Sequence, residues 1–141
     1  MLKLFPLPSV LLKWAARRVV NVAVFGNGLS LMEWEALQAS YWRHHKGFMV
    51  NVVSDPAQAD LLAVHGPLTN ANWSFFERWL EQGSGLALVM AVGAEVRVLG
   101  EHLVDPAGQV SAHKVNAILP GHPPSPEALK SSLASLLGAG L

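Results

Sequence analysis

Five short apolar runs, at 19–25, 48–53, 61–64, 86–92 and 115–119, each stop at a glycine or proline break, and this pattern limits what the 141-residue chain can become. Runs of four to seven residues, rich in Val, Ile, Leu and Ala, have the length of strands rather than helices. Between most of them lie segments with helical spacing. One covers 31–43, behind Ser30 as N-cap and with Glu33 near its first turn, where the macrodipole favours an acid. A second runs to about Gln82 from a cap at Asn70 or Asn72, with Trp73, Phe76, Trp79 and Leu80 near helical spacing. A third covers 126–137, with Ser125 as N-cap and Pro126 at the first helical position. Strands in alternation with helices imply a parallel sheet, because a parallel return needs a crossover over one face. The run 86–92 is apolar without alternation, as a strand covered on both faces is. The expectation is a flavodoxin-like three-layer α/β domain with a mainly parallel five-stranded sheet. Residues 94–103 have no settled form, and Asp105 to Gly108 reads as a turn.

No repeat, linker or low-complexity segment interrupts 19–141, which reads as one domain. Residues 1–18 form an arm. Its Lys3, Lys13, Arg17 and Arg18 are mixed with Leu2, Leu4, Phe5, Leu7, Val10, Leu11, Leu12 and Trp14. It reads as extended through Pro6 and Pro8, then as an amphipathic helix from Ser9. Such an arm packs on its own domain, or lies on a membrane-embedded partner or the lipid surface. A signal peptide fits less well, since the basic residues surround the apolar run and no small-residue cleavage site follows.

Composition narrows the function. The chain is 51% hydrophobic and 14% charged, which suggests a surface partly covered by partners. Ten basic and ten acidic residues cancel, so no strong field recruits nucleic acid. The absence of cysteine excludes disulfides and thiolate-held zinc or iron–sulfur clusters. Every apolar run is cut by charge or glycine short of the roughly 20 residues of a spanning helix.

In open α/β sheets, ligands bind at the carboxyl ends of the strands. The residues expected at that edge are Gly26-Asn27-Gly28, His65, Glu95 and His122. His122 stands on a loop made stiff by Pro123, Pro124 and Pro126, with Gly121 supplying backbone freedom. The Gly26-Asn27-Gly28 turn lacks the third glycine of a dinucleotide fingerprint, where Leu31 stands, and no Gly-Lys pair follows to make a phosphate loop. Six histidines, at 44, 45, 65, 102, 113 and 122, show no i, i+4 pair and no HExxH motif. His44 and His45 read as a solvated helix end. No spacing pairs two of Glu33, Glu35, Glu95 and Glu101 for acid–base work, and no serine sits in a nucleophile elbow. Glu95, His122 and His65 remain as a candidate proton relay, and the two histidines as a candidate metal site.

Four segments, at 25–37, 55–69, 89–93 and 119–129, carry a resemblance. The second holds Ala59-Asp60 and Gly66-Pro67-x-Thr69, and the fourth holds Pro120-Gly121-x-Pro123-Pro124-x-Pro126-Glu127-Ala128. In this order they resemble the small, cluster-bearing subunit shared by respiratory complex I, as its B subunit, and the energy-converting membrane nickel–iron hydrogenases. The hydrogenase branch fits better, through Asn27-Gly28. In that family, four cysteines on these loops hold one 4Fe–4S cluster. The matching positions here are Gly26, Leu29, Glu95 and His122, and Met32 stands where the family has an acid. The resemblance thus implies a degenerate member without a cluster or other cofactor, not catalytic by itself. It implies a non-redox structural subunit of a membrane-bound, complex I-like or hydrogenase-related assembly that docks a large hydrogenase-like subunit onto the membrane arm. Integral membrane subunits of the same complex, met through the N-terminal arm, are the other implied partners, and ion translocation belongs to them. The implied location is peripheral and complex-bound, on the cytoplasmic side of the inner membrane. The alternative is a repurposed pocket in which Glu95, His122 and His65 form a proton-relay or metal site. A stand-alone nucleotide- or flavin-binding domain requires a phosphate loop that the chain lacks.

Overall fold

The structure, a computed structural model, describes residues 3–5, 19–39, 49–83, 85–121 and 125–139. The expectations for most of the 1–18 arm, for His44 and His45, and for His122 lie outside these residues. The elements are β1 (Lys3–Leu4), β2 (Val19–Phe25), α1 (Gly28–Ala39), β3 (Met49–Val52), β4 (Leu61–His65), α2 (Trp73–Gln82), β5 (Leu88–Val92), β6 (Val98–Leu99), β7 (His102–Val104), β8 (Val110–Lys114), β9 (Ala117–Leu119) and α3 (Pro126–Ala139). A six-stranded sheet runs β1-β9-β5-β4-β2-β3. The five strands from β9 to β3 are parallel, and β1 adds an antiparallel edge, pairing Lys3 with Ile118 and Leu4 with Ala117. Without β1, the order is that of a flavodoxin-like sheet. The sequence reading left 1–18 outside the sheet. A two-residue strand carries no periodic signal, and its pairing depends on β9 having one free edge.

The alternation of side chains along β4 divides the core. All five of its residues are buried. Leu61 and Ala63 face one layer with Trp34 and Leu37 of α1 and Leu129 and Leu133 of α3. Leu62 and Val64 face the other, where Phe76 of α2 packs with Val96, Leu103 and Val115. The segment 94–103 is therefore not irregular. It enters a three-stranded antiparallel sheet, β6-β7-β8, that shares the second layer with α2. The turn at 105–108 forms as expected: Asp105 Oδ1 accepts from Ala107 N and Gln109 N, each at 2.9 Å, and Gly108 takes φ +87°.

Side chains close the sheet at its other end. Asn21 N donates to Asp60 Oδ2 at 2.9 Å, and Val89 N to Asn116 Oδ1 at 2.8 Å, so each strand entry is satisfied by a side chain of the neighbouring connection. Two expected caps are corrected. The cap of α1 is Asn27, not Ser30: Asn27 Oδ1 accepts from Ser30 N at 3.0 Å and Ser30 Oγ at 3.2 Å, and the helix starts at Gly28. Asn72 precedes α2 without capping it, because its side chain turns back to accept from Thr69 N at 2.7 Å and donate to Pro67 O at 3.1 Å. Ser125 caps α3 as expected, its Oγ accepting from Ala128 N at 3.1 Å.

Leu129 is fully buried beneath α3, so Leu129→Ala should lower unfolding stability by about 2–5 kcal/mol in denaturant titrations. The exposed Leu99 is the contrast: Leu99→Ala should stay within about 0.5 kcal/mol of the parent.

Candidate functional site

The loops after β2, β4, β5 and β9 meet at the carboxyl edge of the sheet. Gly93 N donates to Leu119 O at 2.7 Å and Ala94 N to Gly121 O at 2.9 Å, which straps the loop after β5 onto the loop that leads to His122. Both glycines hold positive φ, +89° at Gly93 and +132° at Gly121, angles that side-chain-bearing residues rarely adopt. The loop after β4 presses on the same strap. A Cβ on Gly66 would lie 2.7 Å from the Glu95 Cβ and carbonyl oxygen. On its other side His65 fills the space next to Gly26, where a Cβ would meet His65 Cβ at 2.9 Å and Ser30 Oγ at 3.0 Å.

The edge therefore gathers Gly26, His65 and Glu95, together with the start of the His122 loop. Leu29 stands apart. It is 70% exposed on the first turn of α1, and Met32, one turn on, is 64% exposed. These residues do not fit a thiolate-held iron–sulfur cluster. None carries sulfur in thiolate form, Leu29 has no donor atom, and a side chain at position 26 would force His65 or Ser30 to shift. Among the described residues, no group of three His, Asp or Glu side chains gathers as a metal site.

His65 is a buried polar residue of this edge, 5% exposed at the end of β4. Its Nε2 lies 2.8 Å from Trp34 Nε1, and the two rings meet edge to face. An indole nitrogen only donates, so Nε2 accepts and the ring proton sits on Nδ1. Burial pushes the pKa of His65 down to about 4, so the ring is neutral at physiological pH. The Trp34–His65 bond was not foreseen from the sequence, although a tryptophan in the apolar stripe of a helix carries one N–H that must find a partner. His113 belongs elsewhere. Its Nε2 pairs with Glu77 Oε2 at 2.8 Å and ties β8 to α2. On α1, burial pushes the Glu33 carboxyl up, next to the exposed Met32.

A cleft of about 400 Å³ opens between the ends of β2 and β4, with His65 in its wall. Phe25, Gly26 and Asn27 form one side; Thr69, Asn72 and Phe75 form the other. In a sheet of this order, the gap between these two strands is the topological switch point, where neighbouring connections leave in opposite directions. No charged residue lines it. Three of its polar side chains bond the local backbone: Asn27 Oδ1 accepts from Ser30 N, Thr69 Oγ1 accepts from Asn72 N, and Asn72 accepts from Thr69 N and donates to Pro67 O.

The depressed pKa of His65 makes a signed prediction. Its value is 6.5 in the unfolded chain and about 4 in the folded one, so the unfolded state binds the extra proton in that window. The contribution of His65 to stability is fully present above pH 6.5 and falls as pH drops towards 4, by on the order of 3 kcal/mol. Denaturant midpoints measured from pH 7 to pH 4 should show this loss in the parent, and His65→Gln should remove that component of the slope.

No protein-family model matches the chain, and no curated protein matches it. Solved structures do. One is a chain of the membrane-bound sulfane sulfur reductase, an archaeal respiratory membrane complex, with a TM-score of 0.63 at 19% identity over 92% of this chain and 75% of that one. At this identity, the likeness is one of fold.

Proposed function

We propose that this chain is a non-redox structural subunit of a membrane-bound respiratory-type assembly, docking a large hydrogenase-like subunit near the membrane arm. The observation that carries the reading is the closed position at Gly26. The sequence carries the loop motifs of the family it resembles, and a Cβ at Gly26, where the resemblance puts the first ligand, would crowd His65 Cβ and Ser30 Oγ. The fold shared with a chain of a respiratory membrane complex supports the setting. Leu29 and Met32, exposed on α1, supply an apolar surface for a partner. Among the described residues, no helix is long and apolar enough to cross a membrane, so membrane attachment in this reading comes through partners or the N-terminal arm. The assembly faces the cytoplasm in this proposal, and any ion translocation is done by its membrane subunits.

A proton relay through Glu95, His122 and His65 is the weaker reading. It requires His65 to exchange protons near neutrality, and the Trp34 bond together with the low pKa opposes that.

Affinity purification of the tagged full chain from native membranes should recover integral membrane subunits and a large hydrogenase-like subunit, with iron far below one cluster per chain. A chain found alone in the soluble fraction, or one with stoichiometric iron, contradicts the reading. The double variant Leu29→Asp and Met32→Asp should fold normally and lose at least about tenfold in recovered partner, as expected when charges replace two apolar anchors.

A further inference from the structure

Of the six asparagines in the chain, Asn27 alone precedes a glycine; Val22, Val52, Ala71, Trp73 and Ala117 follow the others. The pair has a chemistry of its own. An asparagine carries an electrophilic Cγ within reach of the next backbone nitrogen, and glycine leaves that nitrogen without a Cβ to crowd it. Asn27 is also exposed and lines the open cleft between β2 and β4, so water reaches it.

The fold holds this pair in one state. Asn27 Oδ1 accepts from Ser30 N at 3.0 Å and from Ser30 Oγ at 3.2 Å, and Asn27 O accepts from Leu31 N at 3.2 Å. Both oxygens of Asn27 are thus engaged by the first turn of α1. Ser30 is buried, which shields its bonds to Asn27 from competing water. Attack of Gly28 N on Asn27 Cγ needs a different arrangement. It closes a ring through Asn27 C, Cα, Cβ and Cγ, so the peptide plane after Asn27 must turn about the Cα–C bond. That rotation takes Asn27 O away from Leu31 N, and the attack takes the carboxamide away from Ser30. The capped state therefore excludes the reaction, and local opening of the first turn, to which helix ends are prone, permits it.

We propose that Asn27-Gly28 is a site of spontaneous deamidation, gated by the Ser30 cap. When the first turn opens, Gly28 N gives its proton to solvent and bonds to Asn27 Cγ. The Cγ–Nδ2 bond breaks, and the side-chain nitrogen leaves as ammonia with a proton from solvent. Water then adds to one of the two ring carbonyls and breaks its bond to Gly28 N. Opening at Cγ leaves aspartate at position 27; opening at the main-chain carbonyl leaves isoaspartate. The net change is one water taken up and one ammonia released. The two products act differently on the fold. Aspartate keeps an acceptor at the cap and places a negative charge at the helix start, where it is favoured. It also gives a charge to a cleft that holds none. Isoaspartate lengthens the backbone by one methylene, which puts both acceptors out of register with Ser30 and Leu31.

The test ages the full chain at mildly alkaline pH, folded in buffer and unfolded in urea. Mass spectrometry of peptides then locates each amide turned to acid, and isoaspartyl methyltransferase labelling measures isoaspartate. In urea the mass gain should appear first in the peptide holding residue 27. In the folded chain it should appear at the same residue at least about tenfold more slowly, since the capped turn is open only part of the time. Folded Ser30→Ala, which lacks one of the two donors to Oδ1, should react about fivefold faster than the parent, and at the parent's rate in urea. Gly28→Ala should be slow in both conditions. No mass gain at residue 27 in urea overturns the site. A folded parent as fast as the unfolded one overturns the gate, and that comparison stands even where Ser30→Ala does not fold. A folded Ser30→Ala no faster than the parent overturns the part given to Ser30.

Discussion

Trp34 carries its indole N–H into a fully buried position, and the arrangement of the sheet edge depends on where that hydrogen goes. Nothing apolar can accept it, and an unmet buried donor costs about 1–3 kcal/mol. His65 accepts it at the last residue of β4, across 31 positions of sequence. The bond joins α1 to the central part of the sheet at its carboxyl end. It fixes the tautomer of the imidazole and keeps the ring inside, where desolvation holds it neutral. With His65 in that position, its Cβ stands against Gly26, and Gly66 follows directly into the backbone of Glu95. One buried hydrogen bond thus sets the spacing of three of the four edge loops.

Those loops keep their course for reasons independent of any ligand. Gly93 and Gly121 hold angles that favour glycine, and their backbones exchange the bonds that bring β5 and β9 to a common end. Ser125 then restarts the chain as α3, which returns Leu129 and Leu133 to the core. A frame of this kind persists under the demands of folding alone. The shape of this edge therefore does not by itself imply an activity.

The layered plan was legible in the residues because each main strand is a β-branched or aliphatic run ended by glycine or proline. The unalternating run through 88–92 could only be a strand covered on both faces. What escaped the sequence was set by tertiary contact. β1 is two residues long and takes its order from the edge of β9. The sheet β6-β7-β8 forms in short polar pieces, with Leu103 and Val115 reaching the core. At 27 and 30 two good capping residues compete, and Asn27 wins because the chain turns into helix three residues sooner than the apolar spacing suggests. At the site, sequence position placed Gly26, His65 and Glu95 at one edge, but neither Trp34 nor the cleft between Phe25 and Phe75 has a linear signature.

Under the proposed function, a partner covers this edge. A catalytic pocket concentrates titratable groups whose environments drive their pKa values apart. Among the described residues, the one strongly displaced group, His65, is displaced by burial, and its Nε2 accepts from Trp34. Phenylalanine rings and two asparagines line the cleft beside it, and α1 exposes a leucine and a methionine. Apolar area of that kind is stable in water only when it is small or when another surface removes it from solvent. Under the proposed function, the bonds that already hold these loops limit the entropy lost when a partner arrives.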